Sequence, residues 1–187
     1  MRIRKKMQID LKIAQLLSSR LCHDLVGPIG AVNTGLELME EDSDDDGAAL
    51  GLMARSAAEA TRRLAFYRNA FGMGAGGGGG KGALDEARIL ADGFLETTKV
   101  TLDWPELIPD ALGPVPPGGV KVVLNMILIA SESLPRGGVV GLSLVQLDEG
   151  LGVGLTASGE GAALREDLVH ALAEDAGKIT TASEKRL

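Results

Sequence analysis

The chain of 187 residues contains two histidines, and the first of them stands in a setting that suits chemistry. His23 is followed directly by Asp24 and, a few residues later, by the run Gly27-Pro28-Ile29-Gly30. An imidazole can carry a phosphoryl group, and an adjacent carboxylate can orient its ring or hold the proton on one nitrogen. We therefore interpret His23 as a phosphate acceptor and Asp24 as its orienting and acid–base support. The alternative is an exposed histidine that has no function.

The segment that carries His23 is predicted to form one long helix, from about residue 8 to residue 41. Mostly apolar residues recur at spacings of three and four, which predicts a helix with a single apolar stripe. The stripe consists of Leu11, Ala14, Ser18, Leu21, Leu25, Ile29, Val32, Leu36 and Met39. At about 100° per residue, Ser19, Gly27 and Gly30 share the direction of His23, and the apolar stripe lies opposite. We expect the imidazole to point away from the core, on a surface of small residues that lets another protein's backbone approach closely.

A second helix is predicted over residues 48–71, after an acidic turn that ends at Gly47. Its apolar residues follow the alternating spacing of bundle packing, and a short turn between two such helices makes an antiparallel hairpin. A lone hairpin leaves apolar surface uncovered, so we predict a homodimer in which two hairpins form a four-helix bundle. Packing of the hairpin on its own C-terminal domain is the alternative.

Folding the hairpin brings basic side chains of the second helix toward the level of His23. Arg62, Arg63 and Arg68 are then expected within one or two turns, where they could attract an acidic partner or screen phosphate charge. Ordinary solvated surface charge is the alternative for each of them. The full predicted partner-binding set is Ser19, Arg20, Gly27, Gly30, Arg62, Arg63 and Arg68.

The rest of the chain has a different pattern. The glycine-rich residues 73–82 are predicted to be a flexible linker, because a Walker phosphate loop needs Ser or Thr after its Gly-Lys and here Gly82 follows Lys81. In residues 83–187, helices are predicted at 83–96, 120–133 and 162–175, and strands at 99–104, 139–147, 151–156 and 178–182. This order predicts an α/β sandwich with helices on one face of a mixed sheet. With residues 1–72 as a helical hairpin, the predicted fold class is α+β.

Composition narrows the location and the partners. A formal net charge of -7 argues against general nucleic-acid binding. The sequence lacks the apolar run of about 18–20 residues that a membrane span needs. One cysteine excludes an internal disulfide framework and fits a reducing compartment, so we expect a cytoplasmic protein. The acids of residues 40–46 lack the ligand spacing of a calcium loop, so a metal site is not expected there.

The first helix closely resembles the phosphoacceptor helix of the ChpT-type histidine phosphotransferases of alphaproteobacteria, over residues 21–38, which read LCHDLVGPIGAVNTGLEL. Residues 63–72 resemble the end of that family's second helix. The resemblance implies a homodimer whose hairpins form a bundle like the dimerisation domain of sensor kinases. It also implies that each hairpin is followed by a domain with the fold of a kinase ATP-binding domain that no longer binds ATP.

The resemblance further implies a two-component phosphorelay. In it, His23 takes a phosphoryl group from the receiver domain of a hybrid histidine kinase and passes it to the aspartate of a response regulator. No cofactor is expected on this chain, and the Mg²⁺ ion is expected on the receiver domain of the partner.

The nucleotide-binding motifs of such a kinase domain are degraded in this chain. Asn125 keeps the first asparagine of the helical motif, but Ile129 stands where the second would hold the magnesium ion. Gly159 and Gly161 keep two glycines of the next motif, but Ala157 replaces the aspartate that reads the adenine amine. The resemblance thus implies a phosphotransferase without ATP-dependent kinase activity. An autophosphorylating histidine kinase and a non-catalytic dimeric scaffold are the alternatives.

Overall fold

The computed structural model describes residues 11–40, 46–72, 80, 82–106, 114–148, 150–166 and 168–170. The chain divides into two compact units, Met1–Met73 and Gly74–Leu187. The predicted linker, residues 73–82, lies mostly outside the described residues.

The first unit is built on two long helices that pack against each other, α1 (Leu11–Glu40) and α2 (Asp46–Phe71). They run antiparallel, because Gly35 near the end of α1 lies against Met53, whereas Asp24 contacts Tyr67 further along α2. The predicted N-terminal helical hairpin is therefore present. Residues 8–10 and 41, which the prediction includes in the first helix, lie outside the described residues.

The face of α1 that meets α2 is only partly the predicted apolar stripe. Gly35 is buried in it, and a Cβ at this position would collide with the Met53 side chain, so glycine lets the two helices approach closely. Gly35 is not a member of the predicted stripe. Ile29 and Leu36 of the predicted α1 stripe, and Leu50 and Leu64 of the predicted α2 stripe, keep half or more of their surface exposed. Two helices in contact cover only one side of each stripe, and the other side of both stripes faces away from the hairpin interior.

The second unit combines helices with a small sheet. Its elements are α3 (Ala83–Leu95), β1 (Val100–Asp103), α4 (Gly119–Glu132), β2 (Gly138–Leu147) and β3 (Gly150–Ser158). The strand order is β1-β2-β3, with β1 parallel and β3 antiparallel to β2. The sheet is mixed, as predicted, and the ends of the elements differ from the predicted ends by one or two residues.

The core of the second unit lies between the sheet and its helices. α3 and α4 contact each other, and both contact the sheet. Val140 and Leu142 of β2 are buried while Val139 is exposed, the alternation of a sheet with one covered face. α4 buries Val120, Val123 and Ile127 at helical spacing. The chain is therefore α+β. The predicted strand at 178–182 and most of the predicted helix at 162–175 lie outside the described residues.

Candidate functional site

His23 lies on the solvent side of α1, with 86% of its side-chain surface exposed. Gly27 and Gly30 are also exposed, and nothing lies within 4 Å of the place where a Cβ would stand at either position. Ser19, one turn earlier, is exposed as well. The imidazole is thus surrounded by small residues, which leaves room for a partner's backbone to come close.

Asp24 has the opposite environment, because its side chain is only 10% exposed and lies on the side of α1 that meets α2. Its Oδ1 is 3.0 Å from Nδ1 of His23. Its Oδ2 accepts hydrogen bonds from Nε of Arg20, at 2.8 Å, and from the hydroxyl of Tyr67. Nη1 of Arg63 lies 4.0 Å from the same oxygen. One carboxylate oxygen therefore serves the histidine, and the other binds residues of both helices.

The surroundings of Asp24 keep it ionised. Burial raises the pKa of this carboxyl, but hydrogen bonds from His23, Tyr67 and Arg20 together outweigh burial, so the pKa lies below its usual value of 3.8. An ionised carboxylate only accepts hydrogen bonds. In the neutral imidazole, the hydrogen bond to Asp24 therefore places the proton on Nδ1 and leaves the lone pair on Nε2.

A groove of about 440 Å³ extends from His23 between the two helices. Its walls are formed by His23, Asp24, Gly27, Pro28 and Ala31 of α1 and by Ser56, Glu59 and Arg63 of α2. Arg63 forms an ion pair with Glu59, with Nη2 2.8 Å from Oε1, and also approaches Asp24. The guanidinium is therefore held at the wall of the groove that His23 also lines.

The basic residues predicted near His23 divide into two groups. Arg63 lines the groove, and Arg20 is bound to Asp24 from one turn earlier on α1. Arg62 is half-buried and Arg68 is exposed, and neither is among the residues that line the groove. A role in partner binding stays a prediction for all four arginines.

Tyr67 is the member of this site that sequence reasoning misses, because its position in the heptad places it on the apolar stripe of α2. The phenol is buried, and a buried tyrosine hydroxyl usually has a hydrogen-bond partner. Folding the hairpin about its turn brings residues 64–67 to the level of His23. A search for an acid at that level would have found Asp24.

Ile129 and Ala157, the two positions compared with kinase motifs in the sequence, line an open cavity of about 380 Å³ in the second unit. The cavity is lined by Met126, Ile129, Ala130, Ser133, Leu155, Ala157, Ala162, Ala163 and Leu164. Among the described residues that line it, none has an acid or amide side chain, and the Ser133 hydroxyl donates to the carbonyl of Ile129.

Among the described residues, no group of three or more His, Cys, Asp or Glu side chains could hold a metal ion. In that same part of the chain, no helix is both long enough and apolar enough to cross a membrane.

Comparison with known proteins places the chain in a family. Residues 84–183, more than half of the chain, match the family described as "Histidine phosphotransferase C-terminal domain". The chain belongs to the histidine phosphotransferase family. A curated relative, "Protein phosphotransferase ChpT" of Brucella abortus (strain 2308), is 39% identical over 134 residues. That match covers 72% of this chain and 61% of the relative, so the chain spans less than two thirds of the relative's length.

A solved structure of a bacterial phosphotransferase is also similar to this chain. The two are 34% identical in sequence and superimpose with a TM-score of 0.67. The match covers 85% of this chain and 73% of that chain. The resemblance to ChpT-type proteins, predicted from residues 21–38 and 63–72, is therefore confirmed.

Proposed function

We propose that this chain is a histidine phosphotransferase of a two-component phosphorelay. His23 accepts a phosphoryl group from the aspartyl phosphate of a receiver domain in a hybrid histidine kinase and passes it to the aspartate of a response regulator. The observation that carries the proposal is an exposed imidazole whose Nδ1 is bound by a buried, ionised carboxylate. Membership of the histidine phosphotransferase family supports the same activity.

In this proposal, Nε2 of His23 is the nucleophile. Its lone pair attacks the phosphorus of the aspartyl phosphate, and an N–P bond forms while the bond from phosphorus to the partner's carboxylate oxygen breaks. The electron pair of the broken bond stays on the departing carboxylate, and no proton has to leave. The imidazole becomes a cation, which Asp24 stabilises from 3.0 Å. Transfer to the response regulator is the same step with the acceptor aspartate as nucleophile.

We assign no cofactor to this chain. Phosphoryl transfer needs positive charge near the oxygens of the transferred group, usually from a magnesium ion and from basic side chains. We place the Mg²⁺ ion on the receiver domain of the partner. Arg63 lines the groove beside His23, and we propose that it supplies positive charge to the oxygens of the phosphoryl group.

We further propose that the chain works as a homodimer. The exposed halves of the two apolar stripes, with Ile29, Leu36, Leu50 and Leu64, fit a second copy of the hairpin, because a four-helix bundle would remove them from water. A nucleic-acid or membrane partner is not part of the proposal. We place the activity in the cytoplasm, where the single cysteine stays reduced.

We propose no ATP-dependent kinase activity. Ile129 and Ala157 stand at the positions where a kinase needs a metal ligand and an adenine-reading acid, and both line an apolar cavity. Small movements of the backbone do not turn these side chains into ligands. A phosphoryl group on His23 must then come from another protein.

The proposed function is tested with receiver domains of hybrid kinases from the same genome, each phosphorylated with labelled acetyl phosphate. Label should pass to the wild-type chain and not to His23→Ala. His170→Ala is the matched control, since it removes the other histidine, which is also exposed, and should be labelled like the wild type. Label on His23→Ala would overturn the proposal, and label acquired from ATP alone would identify a kinase instead.

A non-catalytic scaffold makes a different prediction in the same experiment. A scaffold would need the dimer but would tolerate any residue at position 23. A phosphotransferase predicts instead that His23→Ala keeps the oligomeric state of the wild type and loses transfer from every receiver domain tested. If no chain variant, including the wild type, takes up label from any receiver domain, the scaffold becomes the better explanation.

A further inference from the structure

Tyr67 of α2 is connected to His23 through the carboxylate of Asp24. The Tyr67 hydroxyl donates to Oδ2 of Asp24, whereas His23 lies against Oδ1. Nε of Arg20 donates to the same Oδ2, and Arg20 also hydrogen-bonds the oxygen of Tyr67. Tyr67 is not among the residues that line the groove beside His23. Its effect on the imidazole must therefore pass through the carboxylate.

We propose that Tyr67 is a positioning residue for phosphoryl transfer. With Arg20, it holds the Asp24 carboxylate so that Oδ1 accepts the proton of Nδ1 and Nε2 of His23 keeps its lone pair for the phosphorus. The inference rests on the proposed function of His23. It adds a residue on α2 to the predicted catalytic pair, His23 and Asp24, which lies on α1.

The carboxylate needs to be held because the histidine is so exposed. A neutral imidazole can carry its proton on either nitrogen, and water competes for Nδ1 in a side chain that is 86% exposed. The terminal torsion of an aspartate is broad, so an unsupported carboxylate would turn away from the ring for part of the time. Donors bound to Oδ2 remove that freedom and leave Oδ1 facing the imidazole.

Tyr67 is itself held firmly enough for this task. Its side chain is buried, its ring stacks on Phe71 with centroids 5.6 Å apart, and it meets Phe66 edge-on at 5.7 Å. Burial, followed by the hydrogen bond to Asp24, raises the pKa of Tyr67 to about 12. The hydroxyl therefore keeps its proton and donates throughout the physiological pH range.

A second residue of α2, Arg63, also approaches Asp24. Nη1 of Arg63 lies 4.0 Å from Oδ2, and Glu59 binds the guanidinium of Arg63 from the other side. Oδ2 is thus surrounded by donors from both helices, whereas Oδ1 is directed to His23. This division of the two oxygens is the geometry that a positioning role requires.

The test compares Tyr67→Phe with the wild type in the full chain. Thr101→Val is the matched control, because it also removes one hydrogen-bonded hydroxyl, in this case one that donates to the carbonyl of Gly138 in the second unit. Nitrogen NMR of isotope-labelled histidine, in a His170→Ala background, reports which nitrogen of His23 carries the proton. The spectra are recorded at about pH 8.5, where neutral imidazole predominates in proteins. Transfer from a phosphorylated receiver domain is measured in parallel.

The wild type and Thr101→Val should show the proton on Nδ1 of His23. Tyr67→Phe should show a mixture of the two tautomers and accept the phosphoryl group on the order of tenfold more slowly, as outer positioning residues usually do when they are lost. An unchanged tautomer and an unchanged rate in Tyr67→Phe would overturn the inference. If Tyr67→Phe does not fold, the spectrum of the wild type still tests the inference, because a proton found on Nε2 of His23 would overturn it.

A double-mutant cycle separates positioning from a merely structural role. If Tyr67 acts through Asp24, adding Tyr67→Phe to Asp24→Asn should slow transfer by less than about twofold beyond Asp24→Asn alone. Additive losses would show that Tyr67 acts elsewhere. If the wild type never accepts a phosphoryl group, the proposed function fails, while the tautomer spectra still report whether Tyr67 fixes the imidazole.

Discussion

Tyr67 of α2 donates a hydrogen bond to the carboxylate of Asp24 on α1, across a separation of 43 residues in the chain. This bond connects the packing of the hairpin with the histidine that lies beside the carboxylate on the outer surface. It also explains why an acid is tolerated at the contact between the helices, since a buried carboxylate is stable only when it is bound by donors or cations. Arg20 completes that set from its own helix.

Asp24→Asn should impair both the chemistry and the stability of the hairpin. An asparagine lacks the negative charge that stabilises the imidazolium, so transfer to His23 should slow by about 10²-fold or more. The free energy of unfolding should fall by about 1–3 kcal/mol, because a charged acceptor of several hydrogen bonds is lost. Chemical denaturation and single-turnover transfer measure the two effects.

Asp92→Asn is the matched control for that prediction. Asp92 forms an exposed ion pair with Arg88, one turn earlier on α3, at 3.6 Å. Exposed pairs of this kind contribute only about 0–1 kcal/mol, so Asp92→Asn should have nearly wild-type stability and transfer. Equal losses in the two variants would show that the effect of Asp24→Asn is not specific to the site.

The single tyrosine of the chain allows a direct titration of Tyr67. Ultraviolet absorbance of the tyrosinate should report a pKa of about 12 in the folded protein and about 10.0 in urea. Because the pKa is raised on folding, this group stabilises the fold fully below its unfolded value, and the stability is lost as pH rises from about 10 to about 12. Asp24→Asn should move the folded pKa toward 10.0, and an unchanged pKa would contradict the hydrogen bond.

The same linkage has the opposite sign for Asp24. Its pKa is lowered on folding, so its contribution to stability is present above the unfolded value of 3.8 and is lost as pH falls through the lower folded value. The wild type should therefore lose more stability than Asp24→Asn when urea denaturation is repeated at decreasing pH below about 4. Parallel acid profiles for the two proteins would show that Asp24 does not have a lowered pKa.

Two glycines of α1 should respond oppositely to alanine. Gly35→Ala places a methyl group against the Met53 side chain and should destabilise the hairpin by about 1–3 kcal/mol. Gly30→Ala meets nothing within 4 Å and should stabilise the helix by about 0.5–1 kcal/mol. Thermal unfolding of the two variants tests the packing, and the same sign for both would contradict it.

The proposed dimer is tested by placing a charge on the exposed apolar stripe. Leu36→Glu and Leu64→Glu should each give a monomer in analytical ultracentrifugation, because a carboxylate in a bundle core loses its hydration without a partner. Ile89→Glu is the control, since Ile89 is an even more exposed apolar residue on α3, in the other unit. A dimer that survives both stripe substitutions would place the dimer contact elsewhere on the chain.

Local patterns were sufficient for the elements and for the choice of His23 as the candidate phosphate acceptor. Apolar spacing predicts α1 and α2, and alternation with turn residues predicts β2 and β3, because these elements are determined by which side chains recur on one face. His23 could be singled out because its neighbours in the sequence, Asp24 and the Gly-Pro run, are also its neighbours on the helix. The family could be identified for the same reason, since residues 21–38 form one continuous motif.

The tertiary structure decided which part of each apolar stripe lies inside the hairpin. Gly35 is buried against Met53, whereas Leu36, the next residue and a member of the predicted stripe, stays exposed. An apolar stripe that is wider than the surface one neighbouring helix covers can pack with either of its two edges. Which edge packs depends on the side-chain shapes on both helices. The spacing of residues along one helix does not contain that information.

Only the tertiary structure shows that Asp24 contacts both His23 on its own helix and Tyr67 on the second helix. The sequence by itself determined that an acid follows His23 and lies about 100° around the helix from it. It did not determine that this direction leads to Tyr67 and Arg63, because a contact between residues 24 and 67 depends on the register of two helices joined by a turn. Helical phase is a local property, and the register between helices is set by packing along their whole length.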